Sequence, residues 1–131
     1  MDTIDEKILN LLKQNSKLTN KEIGKIVHMT GQTVGTRILK LQDEGIIQGF
    51  SIVIRYQNTQ YIRFFMDSNK YIDFEKFVNK HKEIEVFHKV LGQACYIIIS
   101  HFTEETLPIF IEGISKWGRY NVETFVADKI N

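Results

Sequence analysis

The sequence predicts an α+β protein: an N-terminal (winged) helix-turn-helix, followed by a ferredoxin-like βαββαβ domain of αβ-sandwich type. Three observations carry that prediction. Two short amphipathic helices are separated by only three residues, "HMT", at 28–30. Beyond residue 59 the apolar spacing changes from helical to alternating. The order strand, helix, strand then occurs twice. The expected division is a helix-turn-helix over 1–48, a strand and linker over 49–58, and the ferredoxin-like part over 59–131.

In the first helix Asp2 is the N-cap, and Ile4, Ile8, Leu11 and Leu12 follow at helical spacing as far as Gln14–Ser16. Thr19 and Glu22 form a capping box ahead of Ile23, Ile26 and Val27. His28 tolerates a positive φ better than most non-glycine residues and so suits the turn, while Met29 points inward. Thr30 caps a third helix whose inward stripe is Val34, Ile38 and Leu41, and Gly45 ends it as a C′ residue. "IIQGFSIVI" after it reads as a strand.

Gly24 and Gly35 interrupt these helices, each at about 1 kcal/mol relative to alanine. Gly24 lies beside the Ile23/Val27 stripe, where a crossing helix must come close. Gly35 flanks the core stripe and lets a backbone approach either the neighbouring helix or DNA.

Opposite Val34, Ile38 and Leu41 stand Gln32, Thr33, Thr36 and Lys40, with Arg37 at the border. No carboxylate occurs there before Asp43. Glutamine pairs with adenine edges, threonine contacts thymine methyls or phosphates, and lysine or arginine reaches guanine or phosphate. The candidate DNA-binding set is therefore Lys21, Lys25, Thr30, Gln32, Thr33, Thr36, Arg37 and Lys40. Arg37 has a second reading, an ion pair with Asp5 or Glu44 that steadies the bundle. Basic and acidic residues are nearly equal in number over 1–50, and a basic stretch bracketed by acids is commonly just a solvated face.

In the second half, "QYIRFFMDS" alternates as a strand, with Tyr61, Arg63 and Phe65 on one face and Ile62, Phe64 and Met66 on the other. "YIDFEKFVNKHK" is a helix carrying Phe74, Phe77, Val78 and His81. Two strands, "IEVFHKVLG" and "QACYIIISHF", join at Gly92. Thr103 caps a helix bearing Leu107, Phe110, Ile111, Ile114 and Trp117, and "NVETFVADKI" closes the sheet. Tyr96 to Ile99 are apolar on both sheet faces, and two helices cover only one of them. A second copy related by a two-fold axis is expected to bury the other.

These residues resemble the Lrp/AsnC family, the feast/famine transcriptional regulators of bacteria and archaea. The stretches that carry the likeness are "IDEKILNLLKQNSKLTNKEIGKIV", "TVGTRILKLQDEGIIQGF" and "VLGQACYIII". Arg37, Leu41, Gly45 and Ile47, at fixed spacing, are its most specific part. The resemblance implies double-stranded DNA as partner, assembly into dimers and often octamers, and an amino-acid effector bound near Gly92, Gln93, Ala94, Cys95 and Tyr96. The family usually carries an aspartate where this chain has Cys95, which removes a possible partner for an ammonium group.

Other chemistry finds little footing. The single cysteine excludes an internal disulfide framework and fits a reducing cytosol. The acidic start "MDTIDEK" lacks the apolar core of a signal peptide, and no run reaches the roughly 18 apolar residues of a membrane span, so a cytoplasmic protein is expected. His28, His81, His88 and His101 match no metal motif, although His88 and Cys95 could meet across the hairpin. "GQTVGT" lacks the P-loop lysine, and no nucleophile set is suggested. The expectation is a regulator with no cofactor and no enzymatic activity. The rival is a small-molecule-binding or scaffolding oligomer with a vestigial helix-turn-helix.

Overall fold

In the computed structural model, which describes residues 1–130, α1 spans Thr3–Gln14 and opens on a capping box. Asp2 Oδ1 accepts from the Asp5 N–H at 2.8 Å, and Asp5 Oδ2 accepts from the Asp2 N–H at 3.3 Å. α2 covers Asn20–Val27 with the Thr19/Glu22 box in place. His28 then takes the left-handed conformation, φ 61°, and is the sole non-glycine residue among those described with positive φ. α3 runs Gly31–Asp43. It ends as a Schellman motif: the Ile46 N–H reaches the Leu41 carbonyl at 2.9 Å and the Gly45 N–H reaches Gln42 at 3.0 Å, with Gly45 at φ 75°.

Ile8, Ile23, Val27 and Val34 form the core of this N-terminal unit, with Ile4, Leu11, Leu12, Leu18, Met29 and Ile38 packed around them. A Cβ on Gly24 would stand 2.3 Å from the Met29 carbonyl oxygen. The close neighbour is thus the backbone of the turn into α3, not the body of a crossing helix. That turn is tight because the Met29 N–H bonds back to the Gly24 carbonyl at 2.9 Å.

The sequence reads 46–54 as a strand, and here the structure differs: no strand forms over those residues. The β-propensity of "FSIVI" needs a ladder partner to become a strand, and none is present beside it. Phe50, Ile52, Val53 and Ile54 are exposed, and the Ser16 hydroxyl, in the loop after α1, donates to the Ser51 carbonyl at 3.4 Å.

The chain divides after Ile54, and the second unit begins at Arg55. Its elements are β1 Gln60–Met66, α4 Tyr71–Asn79, β2 Ile84–Lys89, β3 Tyr96–Ser100, α5 Leu107–Ile114 and β4 Gly118–Thr124, with a 3₁₀ turn, Ser115–Trp117, before β4. The four strands are antiparallel in the order β2-β3-β1-β4, the βαββαβ topology expected. Ile62 stands opposite both Ile98 and Val122, and Phe64 opposite Tyr96 and Tyr120. Phe74 of α4 sits at the centre of the helix-covered face, stacked on Phe64 at 4.3 Å between centroids and tilted against Tyr96 at 5.0 Å.

Several boundaries move from their sequence positions, among them the end of α4, at Asn79, and the starts of α5 and β4. Thr103 caps a separate turn, accepting from the Thr106 N–H at 3.1 Å, and Thr106 precedes α5. β4 starts at Gly118 because the Phe65 backbone crosses there, leaving 2.0 Å between its carbonyl oxygen and a Cβ at that site. It ends at Thr124 because Thr124 pairs with Gln60, the first residue of β1. By strand alternation the open face carries Tyr61, Phe65, Val86, Ile97 and Ile99, joined by Arg63, Arg119 and Glu123. Each guanidinium lies 5.6 Å from the Phe65 ring centre, so this face is less apolar than consecutive isoleucines suggest.

A buried polar group anchors the sheet. Gln60 is 3% exposed, and its Oε1 accepts from the Ser100 hydroxyl (2.8 Å) and the Phe102 N–H (2.9 Å). Its Nε2 donates to the Phe102 carbonyl at 2.9 Å. Both polar atoms of the amide thus have partners, as buried polar atoms require.

Candidate nucleic-acid interface

The exposed side of α3 is built by its own caps and core. Val34 and Leu41 are buried at 0% and 2%, which turns Gln32, Thr33, Thr36 and Lys40 outward, and all four are exposed. Thr30 fixes the start of the ridge: its Oγ1 accepts from the Thr33 N–H at 3.1 Å and bonds the Thr33 hydroxyl at 2.8 Å. The Thr36 hydroxyl turns back along the helix and donates to the Gln32 carbonyl at 3.1 Å. A Cβ on Gly35 would meet only the Asn20 amide, at 2.9 Å. The group that comes close to Gly35 is thus a side-chain amide of α2, not a backbone. Asn20 thereby joins the edge of the ridge. The sequence conceals it, because it reads as filler inside the capping box "TNKE".

Lys21 and Lys25 are exposed on α2. Glu22, the acid between them, is turned back on its own helix start: its carboxylate accepts from the Thr19 N–H at 2.9 Å. The Thr19 backbone and hydroxyl hold the Glu22 carboxyl below the usual carboxylate range. Its charge lies at the N-terminus of α2, where the helix dipole favours it.

Arg37 departs from the rest of the candidate set. Its Nη1 lies 2.7 Å from Asp2 Oδ2 and 3.0 Å from Asp5 Oδ1, and the side chain is half-buried. Hydrogen bonding to Asp2 and then Asp5 raises the guanidinium above its ordinary pKa, and Arg37 in turn draws the Asp2 carboxyl down to about 2. The ion-pair reading of Arg37 is the one the geometry realises, with Asp5 and Asp2 as partners and without Glu44. Glu44 instead stands 3.9 Å from Lys40 Nζ, a loose exposed pair.

The loop that the resemblance associates with an effector is the 90–95 hairpin. Gly92 and Gln93 are exposed, Cys95 is half-buried, and Ala94 and Tyr96 are buried. Cys95 ties the loop to β1: its N–H donates to the Phe64 carbonyl at 2.8 Å, and its Sγ accepts from the Met66 N–H at 3.4 Å. The Tyr96 ring belongs to the core, and its hydroxyl donates to Glu75 Oε2 at 2.5 Å. Burial, then the Glu75 carboxylate, pushes that hydroxyl well above the usual phenol range. Tyr96 therefore faces α4, leaving Gly92, Gln93 and Cys95 as the accessible members of the five. Among the described residues no three metal-ligating side chains cluster, and no helix is long and apolar enough to cross a membrane.

A capped, core-backed third helix with no carboxylate before its last residue, preceded by a tight turn and followed by a ferredoxin-like unit, defines a helix-turn-helix DNA-binding protein. A family model described as winged helix-turn-helix DNA-binding matches residues 1–48. The HTH-type transcriptional regulator LrpB of Bacillus subtilis is 38% identical over 128 residues, covering 93% of this chain and 86% of that protein. Among solved structures, B. subtilis LrpC superposes with a TM-score of 0.87 at 21% identity, over 98% of this chain and 96% of its own. A transcriptional regulator of Neisseria meningitidis, solved as an L-Met complex, superposes with a TM-score of 0.83 at 20% identity, over 100% and 93%. The chain belongs to the Lrp/AsnC family of transcriptional regulators.

Proposed function

We propose that the protein is a cytoplasmic, sequence-specific DNA-binding regulator and not an enzyme, in which residues 1–48 read the duplex, 49–58 connect, and 59–131 pair the subunits and receive an effector. The observation that carries this reading is the exposed ridge of Gln32, Thr33, Thr36 and Lys40 standing opposite buried Val34 and Leu41. Lys21 and Lys25 supply phosphate contacts and Thr30 sets the ridge's first turn. Arg37 serves by holding α3 to α1. Two copies pair through the open sheet face, which no helix covers and which carries Tyr61, Phe65, Ile97 and Ile99, and this duplicates the reading head for two half-sites.

An amino-acid effector is supported by the L-Met complex of the Neisseria neighbour, and the family resemblance puts it at the hairpin of Gly92, Gln93, Ala94, Cys95 and Tyr96. Cys95 gives this chain a neutral group there instead of a carboxylate. Light scattering with and without a panel of amino acids distinguishes dimer from octamer and tests whether an effector shifts them.

A gel shift against the region upstream of the protein's own gene, at two salt concentrations, tests DNA binding. Steep loss of affinity with salt is the expected result. Absence of binding at low salt overturns the reading and favours a scaffolding or small-molecule-binding oligomer with a vestigial head.

A further inference from the structure

We infer that α3 specifies A·T base pairs, with the Gln32 amide contacting adenine and the Thr36 methyl contacting thymine, while Arg37 reads no base; this rests on α3 being the groove-facing helix. In the major groove, guanine is most often read by an arginine fork on O6 and N7, cytosine by a carboxylate on N4, and thymine by apolar contact with its 5-methyl. α3 has one arginine, and the carboxylates of Asp2, the N-cap of α1, and Asp5 hold it at 2.7 and 3.0 Å. It carries no carboxylate before Asp43. Lys40 lies in its last turn, away from the N-terminal residues that meet base edges in a helix-turn-helix.

What remains at the front of the helix is narrowed further by its internal hydrogen bonds. The Thr33 hydroxyl is bonded to that of Thr30 at 2.8 Å. The Thr36 hydroxyl has given its only proton to the Gln32 carbonyl at 3.1 Å, so it has none to donate to a base, and the methyl is the side chain's apolar contact group. Among the described residues the Gln32 amide makes no hydrogen bond within the protein, and it matches adenine N6 and N7 in a bidentate pair. Gln32 and Thr36 are one turn apart on the same face, about 6 Å along the axis, close enough to touch neighbouring base pairs.

The test uses the full chain and duplexes selected by it from a random pool. Each selected dT is replaced in turn by dU, which removes only the 5-methyl. Wild type and Thr36→Val should both weaken about fourfold at one such position in each half-site, the worth of one buried methyl. Thr36→Ser should bind the unmodified duplex about fourfold more weakly and be indifferent to dU there. Gln32→Ala should lose preference for adenine at the adjacent pair by about tenfold. If Thr36→Val loses binding while Thr36→Ser keeps it, the hydroxyl is the contact and the inference fails. It fails equally if the selected half-sites require a G·C pair whose preference disappears in Arg37→Lys. If the wild type enriches no sequence at all, the proposed function itself is overturned.

Discussion

Arg37 and Asp2, thirty-five residues apart in the chain, meet at 2.7 Å and close α3 onto the first turn of α1. Asp2 is at once the N-cap of α1 and an acceptor for Arg37 of α3, so the orientation of α3 is coupled to the first turn of α1. Arg37→Ala should lower the melting temperature of the protein more than Lys40→Ala, whose exposed partner Glu44 is 3.9 Å away. Circular dichroism melts of the two variants check this, and a larger loss from Lys40→Ala contradicts it.

The same variants separate architecture from affinity. Lys21→Ala and Lys25→Ala should each reduce the slope of log K against log salt by about 0.9, the share of one phosphate contact. Arg37→Ala should weaken binding by loosening the head while leaving that slope unchanged. Gel shifts at several salt concentrations give both numbers.

The Asp2–Arg37 pair also sets a pH dependence. The Asp2 carboxyl is lowered from 3.8 to about 2, chiefly by the Arg37 hydrogen bond. A group depressed on folding stabilises the native state above its unfolded pKa and ceases to do so as pH falls through the folded one. The melting-temperature gap between wild type and Asp2→Asn should therefore be constant above about pH 5 and shrink steadily below 3.8 toward 2. A gap unchanged at pH 2 would sink this assignment.

Gly24 and Gly35 should respond in opposite ways. Gly24→Ala puts a Cβ against the Met29 carbonyl, which is backbone and cannot yield, and should destabilise by about 1–3 kcal/mol. Gly35→Ala meets the movable tip of Asn20 and should stabilise by up to about 1 kcal/mol through helix propensity. Urea unfolding of both variants measures the difference.

In the second unit, Gln60→Leu should cost about 3 kcal/mol or more. It strands the Phe102 N–H and carbonyl and the Ser100 hydroxyl, each worth about 1–3 kcal/mol when buried and unpaired. Trp117, the single tryptophan, reports this unfolding by fluorescence. Adding Ser100→Ala should recover part of the loss, because one orphaned hydroxyl is then removed.

The local features of the head are written in its sequence. The Thr19/Glu22 box, the Thr30 cap, His28 in the left-handed region and Gly45 at the Schellman turn all involve groups within a few residues of each other. Short-range hydrogen bonds need no tertiary partner, so residue type and spacing suffice to predict them. The ridge was legible for a related reason: burying Val34 and Leu41 fixes what the opposite face of a 3.6-residue helix must display.

By itself, then, the sequence determined the order of the helices, the ends of the first three, the βαββαβ plan and the polar ridge, because each follows from period, cap or turn chemistry. Tertiary structure alone decided which acids hold Arg37, that Tyr96 turns to Glu75, where β4 begins, and that residues 46–54 form no strand. Those outcomes depend on partners far along the chain. A side chain's several possible partners are equivalent in sequence, and only the packed backbone brings one of them within bonding distance.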